Sequence, residues 1–190
     1  MTSADAGPPP GDGPAAAGGG VALGAEELAY RARALAQTHP LTPLAKRYLD
    51  QAVAVQRTSQ PVPEIGVWAG ASLLCGYCLR RVEEDGAGLR LQAVEEGVDL
   101  PDHEQLDQAA AQIAAELRTD DAGGHLLSRD PDAVIDALDR IIFSEVRNRL
   151  DHWKDSIDQK AWEELEEYIT WWVVKGYALR VAERRLGVLA

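Results

Sequence analysis

The chain has little with which to build a secreted scaffold or a membrane anchor: two cysteines, one methionine, one phenylalanine and one asparagine. Cys75 and Cys78 sit close together inside an apolar stretch. That spacing excludes a disulfide framework and points to a reducing, cytoplasmic location. The longest uncharged apolar run, 65–79, is shorter than the roughly 20 residues needed to cross a bilayer, and Gly66, Gly70 and Gly76 loosen it, so no membrane span is expected. Basic residues are also scarce. The 19 Lys and Arg stand against 31 Asp and Glu, and the net charge of −12 repels nucleic acid at long range and excludes a general DNA or RNA binder. The first stretch, 1–22, is rich in Gly, Pro and Ala, with neither a basic start nor a continuous apolar core. It reads as a disordered tail rather than a secretory signal.

Several kinds of chemistry are missing as well. Cys75-Gly76-Tyr77-Cys78 spells C-x-x-C, but it lies in the middle of a helix-like run with no second ligand pair at zinc-site spacing. Two buried packing residues are the expected reading. None of His39, His103, His125 or His152 has a glutamate three residues before it, which excludes the carboxylate-bridged di-metal bundle. Glycine-rich phosphate loops after a strand are absent. The turn-like stretch with Asp120, Asp121, Gly123, Gly124 and His125 matches no cation-loop spacing. No metal and no cofactor is expected.

What remains is helical punctuation. Apolar residues recur at spacings of three and four from Gly24 onward, and no segment alternates convincingly. The expected fold is all-α: a single bundle of five or six helices over 23–190, with a long C-terminal helix. The first helix is placed at 25–37. Thr42 and Pro43 open the second. The third starts near Pro63, carries the uncharged run to Arg80 before Gly86 and Gly88 end it, and is expected to be central because Gly66 and Gly70 admit a close neighbour. A short helix at most is expected over 89–96. Asp102 and Gln105 form a capping box for the next helix, which buries Leu106, Ala110, Ile113 and Leu117. Asp130-Pro131 starts a helix whose buried stripe is read as Ile135, Leu138, Ile142, Val146 and Trp153. Ser156 with Gln159 is read as the cap of the last helix, which turns Trp162, Leu165, Ile169 and Trp172 inward and Glu163, Glu164, Glu166 and Glu167 outward. Its end, 171–177, is apolar on nearly all sides and is expected to lie in the core or beneath a partner. No internal repeat of fixed period is apparent.

One stretch could carry chemistry. Arg147-Asn148-Arg149-Leu150-Asp151-His152 contains the only asparagine, an arginine able to hold a phosphate and a histidine able to move a proton. Arg147 with Arg149, Arg80 with Arg81, and Arg184 with Arg185 are local concentrations of positive charge in an acidic chain. The same six residues also form ordinary helix-surface pairs, Glu145 with Arg149 and Arg147 with Asp151.

The pattern of Arg147, Asn148 and His152, followed by Trp153, Ile157-Asp158 and Trp162, resembles the HEPN superfamily of small helical-bundle proteins, and its minimal-toxin branch in particular. The resemblance covers about 139–168. The position before the histidine, usually small or aliphatic in that family, is Asp151. The resemblance implies a metal-independent RNA-cleaving toxin, or a degenerate relative in bacterial defence or stress response. His152 would then serve as acid or base at the ribose 2′-hydroxyl, Arg147 would stabilise the phosphorane, and Asn148 would orient one of them. It also implies a homodimer that sets two motifs face to face, an antitoxin or regulatory target as protein partner, and RNA as substrate. The competing expectation is a non-catalytic adaptor or regulator that binds a protein partner through its apolar C-terminal helix.

Overall fold

A computed structural model describes residues 23–89, 101–119, 122–127 and 130–187. Among these residues there are six α-helices and no strand: α1 (Ala25–Ala36), α2 (Pro43–Ser59), α3 (Pro63–Gly86), α4 (His103–Leu117), α5 (Pro131–Leu150) and α6 (Gln159–Arg185). The tail 1–22 and most of the short helix expected over 89–96 lie outside the described residues. No described helix is long and apolar enough to cross a membrane.

Local signals place the helix starts. Thr42 Oγ1 accepts from the Ala45 N–H at 3.0 Å, with Pro43 at the first helical position. Asp102 and Gln105 satisfy each other's backbone N–H groups, the expected capping box. Asp130 accepts from Ala133 ahead of α5. The last helix differs from the reading of Ser156 and Gln159 as its cap, because Asp158 does the capping and accepts from Ala161 at 2.8 Å. A carboxylate both pairs with the N–H and meets the positive end of the helix dipole, which a hydroxyl two residues earlier cannot do.

Two residues depart from the stripe expected of α5. Ile135 is 40% exposed, while Ala133, Val134, Ala137, Leu138 and Ile141 are buried. The small Ala133 and Ala137 take core positions instead, which rotates the buried face by about one residue. Trp153 is not on α5 at all. The helix ends at Leu150 and tightens into a 3-10 turn, Asp151–Trp153, which sets Trp153 edge-on to Trp68 of α3 at 6.0 Å.

α3 and α6 form the centre and α1, α2, α4 and α5 surround them. Within one core, Leu73, Tyr77, Leu79, Val173, Tyr177 and Leu179 are fully buried. Each such side chain contributes roughly 1.5–3 kcal/mol of burial free energy. Gly66 and Gly70 admit α2 as expected, against Arg57 and Val53. The tightest approach is elsewhere: a Cβ on Gly76 would lie 1.8 Å from the Val173 carbonyl oxygen, and one on Gly176 would lie 1.9 Å from that of Leu73. The apolar end of α6 therefore lies in the core, with 172–183 buried under the chain's own helices.

Cys75 and Cys78 are buried and unbridged, and burial is the main cause that pushes both thiols up to about 12. Little thiolate exists at neutral pH. Both cysteines are expected to resist an aromatic disulfide reagent in the native protein and to react promptly in denaturant. Rapid native labelling would contradict their packing role.

Candidate functional site

The three residues of the ribonuclease-like pattern are exposed near the carboxyl end of α5. Arg147 donates from Nε to Asp151 at 3.2 Å, and both side chains remain more than half exposed. Arg149 pairs with the buried Glu145 at 2.6 Å. Both pairs follow the expected helical spacing, but only that of Arg147 is a surface pair, since Arg149 and Glu145 are largely covered. His152 lies on the 3-10 turn, with its ring 5.8 Å from that of Trp153. Arg147 and Asn148 line a surface depression of about 750 Å³ between α1 and α5, together with Arg33, Arg140 and Phe143. His152 does not line it. Phe143, the chain's only phenylalanine, is 67% exposed. It forms the ridge between this depression and a second of about 570 Å³, whose wall includes Val146, Arg147, Asp151 and Trp162.

Charge divides along that groove. Glu26, Asp136 and Asp139 line it with Arg33, Arg140 and Arg147, and the sequence order along α5 puts the acids first. Arg33 is anchored across the helices by donating to Ser144 Oγ at 3.0 Å. Among the described residues no group of His, Cys, Asp and Glu could hold a metal ion.

A second cluster is buried. Where α3 and α6 leave their glycine crossing, Tyr77, Arg80, Glu83, Glu84, Tyr177, Arg180 and Glu183 meet, each no more than 3% exposed. Tyr177 donates its hydroxyl to Glu83, and Tyr77 donates to Glu183 at 2.7 Å. Arg80 donates to the Tyr177 oxygen at 2.9 Å, and Arg180 to that of Tyr77 at 3.0 Å. Each guanidinium stands 5.4 Å from the ring centre of the tyrosine that it serves. Glu84 accepts from Arg180 Nε at 2.9 Å and from Arg184 Nε at 2.7 Å. The carboxylates also tie down the connections between helices: Glu83 accepts from the Leu127 N–H and Glu183 from the Thr42 hydroxyl.

Burial raises the Glu183 carboxyl above the usual carboxylate range, although Thr42, Tyr77 and Arg180 favour its ionised form. Burial also lifts both tyrosines well above the ordinary phenol range, with the adjacent carboxylates adding to the shift. Both hydroxyls therefore stay protonated as donors.

The buried cluster reassigns two of the arginine concentrations. Arg80 is a core residue, and Arg81 donates to the Pro40 carbonyl at 2.6 Å. Arg185 donates to His125 Nδ1 at 2.7 Å, which leaves the protonated Nε2 facing Glu116 at 2.6 Å. The cluster had a sequence signal that helical periodicity does not reveal. Gly76-Tyr77-Cys78-Leu79-Arg80-Arg81-Val82-Glu83 and Gly176-Tyr177-Ala178-Leu179-Arg180-Val181-Ala182-Glu183 share the pattern G-Y-x-L-R-x-x-E. No protein-family model matches the chain, nor does any curated protein or solved structure.

Proposed function

We propose that this protein works by binding another protein rather than by cleaving RNA, and that its contact surface is the groove between α1 and α5 around Phe143. The observation that carries this reading is a large aromatic side chain, 67% exposed, standing between two depressions. Exposed aromatic anchors flanked by arginine are the side chains that dominate protein interfaces. The acidic and basic residues that line the groove supply a polar rim that can fix the orientation of a partner. Binding through the apolar end of α6 is not part of this reading, since 172–183 is covered by the chain's own helices.

The RNA-cleaving reading keeps one observation in its favour: Arg147 and Asn148 are exposed and line the larger depression. It would need a second copy to bring a histidine opposite them. The two readings are separated by incubating purified wild type, Arg147→Ala and His152→Ala with a fluorophore-quencher RNA. No cleavage above buffer is expected from any of them. Cleavage by the wild type that His152→Ala abolishes would overturn the binding reading. In cells, proximity labelling is expected to enrich a partner with the wild type and to lose it with Phe143→Asp, which leaves the helical circular dichroism unchanged.

A further inference from the structure

The matched stretches in α3 and α6 are not alone. In α1, Glu26-Glu27-Leu28 followed by Ala32, Leu35 and Ala36 is matched in α4 by Glu104-Gln105-Leu106 followed by Ala110, Ile113 and Ala114. Thr42-Pro43 with Ala45 opens α2 as Asp130-Pro131 with Ala133 opens α5, each cap accepting from the alanine N–H. The three matches come in the same order, but the intervals between Leu28 and Leu106, Thr42 and Asp130, and Gly76 and Gly176 lengthen along the chain. Longer connections in the second half therefore hide the repeat from any search for a fixed period.

The matched residues also meet reciprocally. Gly76 abuts Val173 as Gly176 abuts Leu73. Tyr77 serves Glu183 as Tyr177 serves Glu83. Glu183, late in the chain, reaches the connection between α1 and α2, while Glu83, early in the chain, reaches the connection between α4 and α5. Each pair joins α1–α3 to α4–α6. Chance resemblance of two helices would not predict bonds that map onto one another when the two units are exchanged.

We infer that the chain is two equivalent three-helix units fused in tandem, and that the α3 face bearing Gly76, Tyr77, Arg80 and Glu83 is a self-recognition surface whose fitting partner is a helix carrying the same G-Y-x-L-R-x-x-E pattern. The link between the units is then dispensable for their association. This inference is independent of the groove around Phe143.

The test begins with the full chain, carrying a site-specific protease sequence inserted within 90–100. After native cleavage, the two fragments are expected to run as one species of intact mass in size-exclusion chromatography and native mass spectrometry. They are also expected to reassociate after separation in denaturant. Fragments that part or precipitate on cleavage would overturn the inference. Equivalence has its own readout. Tyr77→Phe and Tyr177→Phe, each removing one hydroxyl bonded to a carboxylate, are each expected to weaken fragment association by about tenfold or more, to similar extents. A loss confined to one of them, with the other unchanged, would overturn the equivalence of the units even if the fragments stay together.

Discussion

Gly76→Ala is expected to destabilise the protein by about 3 kcal/mol or more, and Gly176→Ala by a similar amount, because the added methyl would meet the backbone of the opposing helix rather than a side chain that can turn aside. For a chain of this size that corresponds to a melting temperature lower by about 10 °C. Gly86→Ala is the matched control. It lies at the end of α3, where a Cβ would make only an ordinary contact at 3.9 Å with Leu23, and it is expected to be neutral or mildly stabilising. Differential scanning calorimetry on the three variants decides the matter. Equal melting temperatures for all three would mean that α3 and α6 do not cross at these glycines.

Arg180→Leu is expected to cost about 3–5 kcal/mol, since it removes the arginine beside buried Glu183 and one of the three arginines around buried Glu84. The sign of its pH dependence follows from the same groups. Burial already raises the Glu183 carboxyl, and without Arg180 it takes up a proton still more readily when folded than when unfolded. Stability is then retained at low pH and lost as pH rises through the raised folded pKa, so the deficit against wild type should be smaller near about pH 5 than near about pH 8. Arg147→Ala breaks an exposed pair and is expected to change stability by less than about 1 kcal/mol. Urea unfolding at both pH values measures all of this. An Arg180→Leu variant as stable as the wild type at neutral pH would mean that the cluster is not closed to water.

Much of the fold was legible because it depends on short-range physics. Thr42, Asp102 and Asp130 cap where their sequence context says they should, and the stripe of α4 is buried through Leu106, Ala110 and Ile113. The errors lie where tertiary packing overrides spacing. Ile135 yields the core to Ala133 and Ala137. Trp153 leaves the helix for a 3-10 turn, where its ring meets that of Trp68.

The pairs of Arg147 with Asp151 and of Arg149 with Glu145 were also readable from i,i+4 spacing, but not that Glu145 is buried. The buried cluster was not. Arg80 and Arg180 look like surface charge to any reading that takes residues one at a time, and only the second copy of Gly-Tyr-x-Leu-Arg-x-x-Glu marks them as partners. Phe143 was missed for the opposite reason: an apolar residue within an amphipathic helix gives no sign of facing water.

Glu84 and Arg184 occupy matching positions in the two units, yet they carry opposite charge and bond to each other at 2.7 Å. A homodimer built from one such unit could not make that bond, because its two chains would bring identical residues to the junction. Two glutamates or two arginines would repel there. Fusion into a single gene removes that restriction, since each copy can then change independently. It also makes the pairing directional: α3 of one molecule favours an α6, and α6 disfavours another α6. A tandem protein with sticky matching halves thereby gains a reason to close on itself rather than to polymerise through like halves of its neighbours.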